Sequence, residues 1–439
     1  MRLMDLPDDI LLNVLNFLDL PQILLLRKIC KRSRALTFEH AVWVNAYRHS
    51  GYFLPSGNTD NRTVEDLERA LVHAHRLQTV WGDLSSLRKR PPQPVAFIKP
   101  NIRFLKLHRG RYVVMGTTTS LSLYDLHAEK ELFQHQITTK PLWLHFQHDT
   151  TLGKDGLFIP FARHLRNSSA TPHFQLCICK LDSLDNPIFE DIAGARIYHD
   201  CIAGAGQEFF VASQKSGGTL LLHVPSQRVY MIDAGTSLPN RLTNVIFIPG
   251  HVLLIFIDYV NMMEGKLFEL YPLPDSASMG PDLRMVPTHR GLLSMHFSEA
   301  SLFSTGVSVA GDAYIWLVVL AGLQLWALRI TLQPDGNMAF HKPVYDIYRF
   351  DEHIMARAFD LRFTTNGTQG RGISRFANPK LSWLKYDVRG GPDGDVSIVR
   401  TIIDSDVLPP FTLYDFDGFE GLLCGLSGAD DNEITNLIM

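Results

Sequence analysis

Apolar and polar positions along the chain fall into two textures that meet near residue 90. Up to Leu87 the apolar residues recur at helical spacing. Ile10, Leu11, Val14, Leu15 and Leu18 mark the face of a predicted first helix, with Asp8 or Asp9 placed to cap it. Asp19-Leu20-Pro21 closes that helix and opens a second, Pro21 suiting a first helical turn. Leu24, Leu25 and Ile29 carry the second apolar face towards Cys30, and a further helix holds Val42, Trp43 and Tyr47. Thr63-Val64-Glu65-Asp66 reads as a capping-box-like start, followed by a stripe of Val64, Leu67, Leu71, Ala74 and Val80. Residues 88–94 then bring Pro91, Pro92 and Pro94, which cannot continue a helix and predict a semi-rigid linker.

From Val95 onward the pattern changes to short apolar runs broken by Gly, Pro, Asn and Asp, which predicts a mostly β domain over 95–439. Within it a small alternating motif recurs at Leu121–Leu126, Leu176–Leu181, Phe268–Leu273, Leu323–Leu328 and Phe411–Phe416, with looser copies at Leu220–Pro225 and Leu381–Tyr386. Successive copies lie 55, 44, 48, 55, 58 and 30 residues apart. The first five intervals bracket the ~40–50-residue period of propeller blades, allowing for loop insertions. Leu121–Leu132 also resembles the third strand and turn of a WD-repeat blade, Tyr124-Asp125 standing where that family has Trp-Asp. The expected architecture is therefore multidomain: an all-α N-terminal part and an all-β propeller-like domain of about seven blades. The short last interval predicts that the C-terminal segment shares a blade with Ile102–Met115 and closes the ring.

Composition narrows the function classes. A formal net charge of −3 gives no electrostatic reason to expect nucleic acid or an anionic membrane as a partner. The most apolar stretch, Tyr314–Leu328, is shorter than a spanning helix requires and is interrupted by Gly322 and Gln324. It reads as a hairpin, with strands at Ala313–Leu320 and Leu323–Ile330. Acids at Asp5, Asp8 and Asp9 argue against a signal peptide, so a reducing compartment, cytoplasmic or nuclear, is expected. The five cysteines make no disulfide framework, and Cys177 with Cys179 lacks a second pair for a zinc set. No metal and no cofactor is expected.

The stretch Leu6-Pro7-Asp8-Asp9-Ile10-Leu11-Leu12-Asn13-Val14-Leu15-Asn16-Phe17-Leu18-Asp19 resembles the opening of the F-box family. Later positions agree in register: Leu24 and Leu26, then Ile29-Cys30-Lys31 at the family's Val-Cys-Lys/Arg, and Trp43 at its closing Trp. The resemblance covers roughly residues 3–48, leaving 49–87 as a linker-helix region. Ser33 departs from it, standing where many members carry a large residue, which predicts looser packing between the second and third helices. The physical reading points the same way. About forty residues build too small a core to stand alone, yet this segment carries Leu11, Leu12, Leu15, Leu18, Leu20, Ile23, Leu24, Leu25 and Leu26.

The resemblance implies that the module docks the Skp-type adaptor of SCF ubiquitin ligases, and through it a cullin–RING core. It implies docking residues Leu6, Pro7, Ile10, Leu11, Val14, Leu15 and Leu18, with Leu24, Ile29, Cys30 and Trp43 holding the helices together. The β domain would present a protein substrate, the chain itself being non-catalytic. This combination looks like the F-box proteins numerous in mushroom-forming fungi. Two other readings stand beside it: an F-box scaffold that delivers nothing for ubiquitylation, and a propeller-based hydrolase using His73, His75, His145, His148, His199 or His223. No Gly-x-Ser-x-Gly elbow, His-Glu-x-x-His pair or phosphate-cradling loop supports the hydrolase. Arg88–Arg90, Arg357, Arg362, Arg371 and Arg375 are candidate contacts for an acidic or phosphorylated client segment.

Overall fold

The computed structural model describes residues 6–55, 59, 62–82 and, between residues 93 and 438, thirty strands with some of the turns that join them. Four short helices and one long one come first: α1 Asp8–Leu15, α2 Leu20–Leu26, α3 Lys31–Leu36, α4 His40–His49 and α5 Val64–Gly82.

Their starts follow local chemistry. In α2, Asp19 accepts from the Gln22 backbone N–H while the Gln22 side chain accepts from the Asp19 N–H, both at 3.0 Å, and Pro21 sits in the first turn. Thr63 caps α5 by accepting from the Asp66 N–H at 3.2 Å. The expected cap of α1 is corrected: Pro7 stands at its N-cap, and Asp8 and Asp9 lie inside the first turn, where their charge complements the helix dipole. Ser33 is also corrected. It is buried, its hydroxyl donates to the Leu26 carbonyl at 2.8 Å and accepts from the Cys30 N–H, and its own N–H reaches the Cys30 sulfur. A small hydroxyl residue here caps α3 and ties it to the end of α2, a junction that a large side chain would have filled by packing.

One apolar core unites the helices. Leu11, Leu15, Leu20, Ile23, Leu36, Val42, Trp43, Val44 and Tyr47 pack with Leu67, Leu71 and Ala74 of α5. The Trp43 indole N–H donates to the Thr37 carbonyl at 2.7 Å, so the ring is buried without leaving its polar atom unpaired.

The rest is seven sheets among the described residues, each a four-stranded unit, two of them with one added strand. Blades 1 to 6 are antiparallel meanders whose first strands are Ile102–His108, Thr151–Gly153, Cys201–Gly206, Arg241–Ile248, Glu299–Val307 and Ala358–Thr365. Blade 7 begins at Thr412–Asp417, continues through Leu422–Ser427 and Glu433–Ile438, and is completed by Gln93–Ile98 from the other end of the domain. Consecutive first strands touch in an arc from blade 2 through blade 7 to blade 1, as blades around a common axis do.

Several strands, such as Tyr112–Thr117, Ser120–Asp125 and Thr219–His223, are buried on both faces, which explains their unbroken apolar runs. In His251–Asp258, Val252, Leu254 and Phe256 face blade 3 while Leu253 and Ile255 face blade 5. Blades 5 and 6 bury Trp316, Val318 and Leu320 against Leu384, Tyr386 and Val388. The apolar stretch considered above is a hairpin in blade 5, Ala313–Ala321 paired with Gln324–Leu332, and no helix among the described residues is long and apolar enough to cross a membrane. The first strand of every blade except blade 2 also carries a register shift against its neighbour, for example at Leu242/Asn244 and Leu302/Ser304. These irregularities bend the strands nearest the axis.

The recurring motif has a simple meaning. Six copies fall on the third strand of blades 1 to 6, such as Leu121–Leu126 on Ser120–Asp125 and Phe268–Leu273 on Gly265–Pro272. The seventh, Phe411–Phe416, falls on the first strand of blade 7, hence the short last interval. Sharing of the closing blade is as expected, but its partner is corrected. Ile102–His108 opens blade 1, and Gln93–Ile98 pairs with Glu433–Ile438. That strand also begins inside the expected 88–94 linker, with Pro94 on an outer edge strand where no ladder N–H is required.

Deleting Glu433–Ile438 leaves Gln93–Ile98 without a partner. Such a protein is expected to lose its single cooperative melting transition, checked by calorimetry against the full chain; an unchanged transition would overturn the closure described here.

Candidate functional site

Two surfaces set what the molecule can do: the outer face of the helical module, and the contact that holds this module to the propeller.

On α1 the apolar residues form two stripes. Leu11 and Leu15 point inward and are buried, with Leu18 partly buried beside them. Ile10 and, in the turn after the helix, Phe17 point outward, Phe17 being 89% exposed; Val14, in step with them, is partly buried. Leu25 (64%) and Ile29 (60%) are exposed one turn apart on α2 and the turn after it. The positions of Leu11, Leu15 and Ile29 differ from the expected ones. Leu11 and Leu15 belong to the core, because a helix of this period cannot turn all five apolar positions outward. Ile29 lies beyond the last residue of α2 and faces solvent, while Cys30, though exposed, caps α3 through its bonds to Ser33. Leu6 is partly buried against the core, Pro7 is exposed, Leu24 is partly buried and Trp43 fully buried. Arg32 fixes the entry to α1 by donating to the Leu6 carbonyl at 2.7 Å and to the Asp8 carboxylate. The Ser33 hydroxyl, hydrogen-bonded to the Cys30 thiol, holds that thiol below its ordinary pKa.

Between α2 and α5 stands a bidentate ion pair: Arg27 Nη1 and Nη2 meet Glu68 Oε1 and Oε2 at 2.8 and 3.0 Å. The same guanidinium donates to Thr37 Oγ1 and lies over the Phe38 and Trp43 rings. α5 is thus fastened to the helical core by charge as well as by packing.

Its other end enters the propeller. Leu77 and Trp81 pack with Ile373, Trp383 and Ile403 of blade 6 and Phe416 and Leu423 of blade 7. The Trp81 indole N–H donates to Asp387 at 2.6 Å, and Lys385 donates to the Trp81 carbonyl. Phe53, from the segment before α5, stacks on Phe419 of blade 7 at 4.5 Å. Arg371 lies under both Phe53 and Trp81, with ring distances of 4.9 and 5.2 Å. Gly421 is required where it stands: its φ is +65°, and an added Cβ would sit 2.3 Å from Leu77 Cδ1. Burial pulls Arg371 down to about 10, still protonated at neutral pH, and burial also lowers Lys385, with Asp387 opposing.

Arg371 was a candidate contact for an acidic client. It is buried and committed to this interface. Arg362 donates to the Leu361 carbonyl; Arg88–Arg90 and Arg357 lie outside the described residues, as does the side chain of Arg375. The histidines do not converge. His73 and His75 are on α5, His223 ends a blade 3 strand with Nδ1 2.7 Å from Ser226 Oγ, and His145, His148 and His199 are outside the described residues. Among the described residues no three His, Cys, Asp or Glu side chains are grouped to hold a metal.

Residues 3–45 match the model of the F-box domain. The chain carries an F-box domain. No curated protein matches the chain as a whole. Among solved structures it is similar to Drosophila Semaphorin 1a, extracellular domains 1-2, at 10% identity and a TM-score of 0.47, covering 79% of this chain and 88% of that one. It is also similar to Kluyveromyces lactis Hsv2, at 12% identity and a TM-score of 0.39, covering 70% and 87%. The propeller architecture stands on the sheet order itself and not on such distant likeness. An F-box in general implies a Skp-type partner.

Sequence reasoning passed over Phe17, Phe53, Arg27 and Glu68. Only Phe17 carried a signal, one helical step beyond Val14; the others depend on partners far along the chain.

Two outcomes follow. Glu68→Gln leaves Arg27 half-buried without its carboxylate and is expected to lower stability by about 1–3 kcal/mol in urea unfolding. Lys385 has its pKa lowered by folding, so between that value and the unfolded 10.5 the unfolded chain binds more protons and stability rises with pH. Lys385→Met should flatten that rise when unfolding free energies are compared across pH 8 to 10.5.

Proposed function

We propose that this chain is a substrate receptor of an SCF-type cullin–RING ubiquitin ligase, working in the cytoplasm or nucleus. The F-box docks a Skp-type adaptor, and the propeller holds a protein client. The observation that carries the reading is the continuous path from one to the other: an F-box with exposed apolar side chains, joined through one packed helix to a seven-bladed domain. Burying each of Ile10, Phe17, Leu25 and Ile29 in an adaptor interface is worth about 1.5–3 kcal/mol, enough to favour a docked state over solvent. The chain supplies proximity and orientation to chemistry done elsewhere, raising the effective concentration of a client lysine near the charged ubiquitin.

Leu25→Asp with Ile29→Asp alters two exposed positions and should leave the melting temperature nearly unchanged. Co-purification with a Skp-type adaptor is expected to fall at least ~100-fold, since about 3 kcal/mol of burial is lost. Undiminished co-purification would sink the docking assignment. For delivery, proteins that accumulate when the chain is removed and decline when wild type, but not the double variant, is restored are the expected clients. Absence of any such protein would leave an adaptor-bound scaffold in place of a receptor.

A further inference from the structure

The contact between α5 and the propeller falls at a particular place. Blade 7 is the closing blade, built from both ends of the domain, and it meets blade 6 at a seam with its own polar bonds. Thr364 of blade 6 donates through its hydroxyl to the Phe416 carbonyl at 3.3 Å and accepts from the Gly418 N–H at 3.1 Å. Arg371 of blade 6 donates to the Gly418 carbonyl at 3.2 Å. Phe53 and Trp81 lie over the Arg371 guanidinium that makes this last bond. The same two rings meet blade 7, Phe53 at Phe419 and Trp81 at Phe416 with centroids 5.7 Å apart. On the blade 6 side Trp81 is held by Lys385 and Asp387. The helical module therefore touches both sides of the seam with one set of aromatic side chains and screens a buried cation there from water.

We propose that Phe53, Leu77 and Trp81 form a clasp across the blade 6–blade 7 seam, so that closure of the propeller and order in the F-box module are a single cooperative event. A charge-assisted bond in a dry interface is stronger than the same bond in water, so lifting the aromatic cover weakens the seam beyond the apolar contacts removed. Opening of blade 7 in turn removes the surface on which the end of α5 rests. A partner that orders the F-box would then also hold the propeller shut; this corollary rests on the adaptor reading above, whereas the clasp does not.

Hydrogen exchange on the full chain tests it. Trp81→Ala is expected to speed exchange at least ~10-fold in Gln369–Phe376, Ser382–Gly390, Thr412–Asp417 and Leu422–Ser427 while blades 3 and 4 keep their rates. Gly421→Ala, which pushes on Leu77 from the propeller side and leaves α5 unaltered, should open the same strands. Val211→Ala in blade 3 should not. Unchanged rates at the seam, or equal acceleration in every blade, would overturn the clasp. In a second arm, adding a Skp-type adaptor is expected to slow exchange at the seam in wild type but only within residues 6–82 in Trp81→Ala. Adaptor binding with no effect at the wild-type seam overturns the coupling. Failure of the adaptor to bind overturns the F-box docking reading and leaves the first arm to decide the clasp.

Discussion

A ring of sheets is held closed when its last blade is completed by a strand from the other end of the domain. Here the strand is Gln93–Ile98, which pairs with Glu433–Ile438. Much else follows from that pairing. It brings the start of the β domain to blade 7, and α5 ends just upstream at Gly82, packed on blades 6 and 7. The helical module is thus seated on the blade in which the two ends of the domain meet and on its neighbour, blade 6.

The parts of the fold that were legible in sequence are those that repeat or that act over a few residues. The third strands of blades 1 to 6 betray themselves through their alternating apolar motif, and Ser120–Asp125 and Thr219–His223, for example, are buried on two faces. The caps at Asp19 and Thr63 are readable because donor and acceptor lie three residues apart. Which strand closes the ring was not legible, since Gln93–Ile98 begins within a proline-rich stretch that reads as a linker. Strand pairing across the whole domain leaves no local signal. Direction on α1 was lost for another reason: Leu11 and Ile10 are both apolar neighbours, and only the packing of the other helices decides which of the two is covered.

Charge is used differently in the two halves of the interface around α5. Arg27 and Glu68 neutralise each other with matched geometry at the F-box end. At the propeller end, Arg371 and Lys385 share the carboxylate of Asp387, and aromatic faces cover both cations. Such an arrangement tolerates burial of two cations only while Phe53 and Trp81 stay in place. Stability of this region is therefore bound to aromatic packing more than to ion pairing.

The order in which the chain leaves the ribosome gives the closing pair a further meaning. Gln93–Ile98 emerges about 340 residues ahead of Glu433–Ile438, a delay on the order of 20–70 s at ordinary rates of synthesis. Helices with local contacts form in far less time. During that interval the F-box can be complete and its apolar face available, while the outermost strand of the propeller still waits for its neighbour. A chain of this design is born with its F-box finished and its propeller still open.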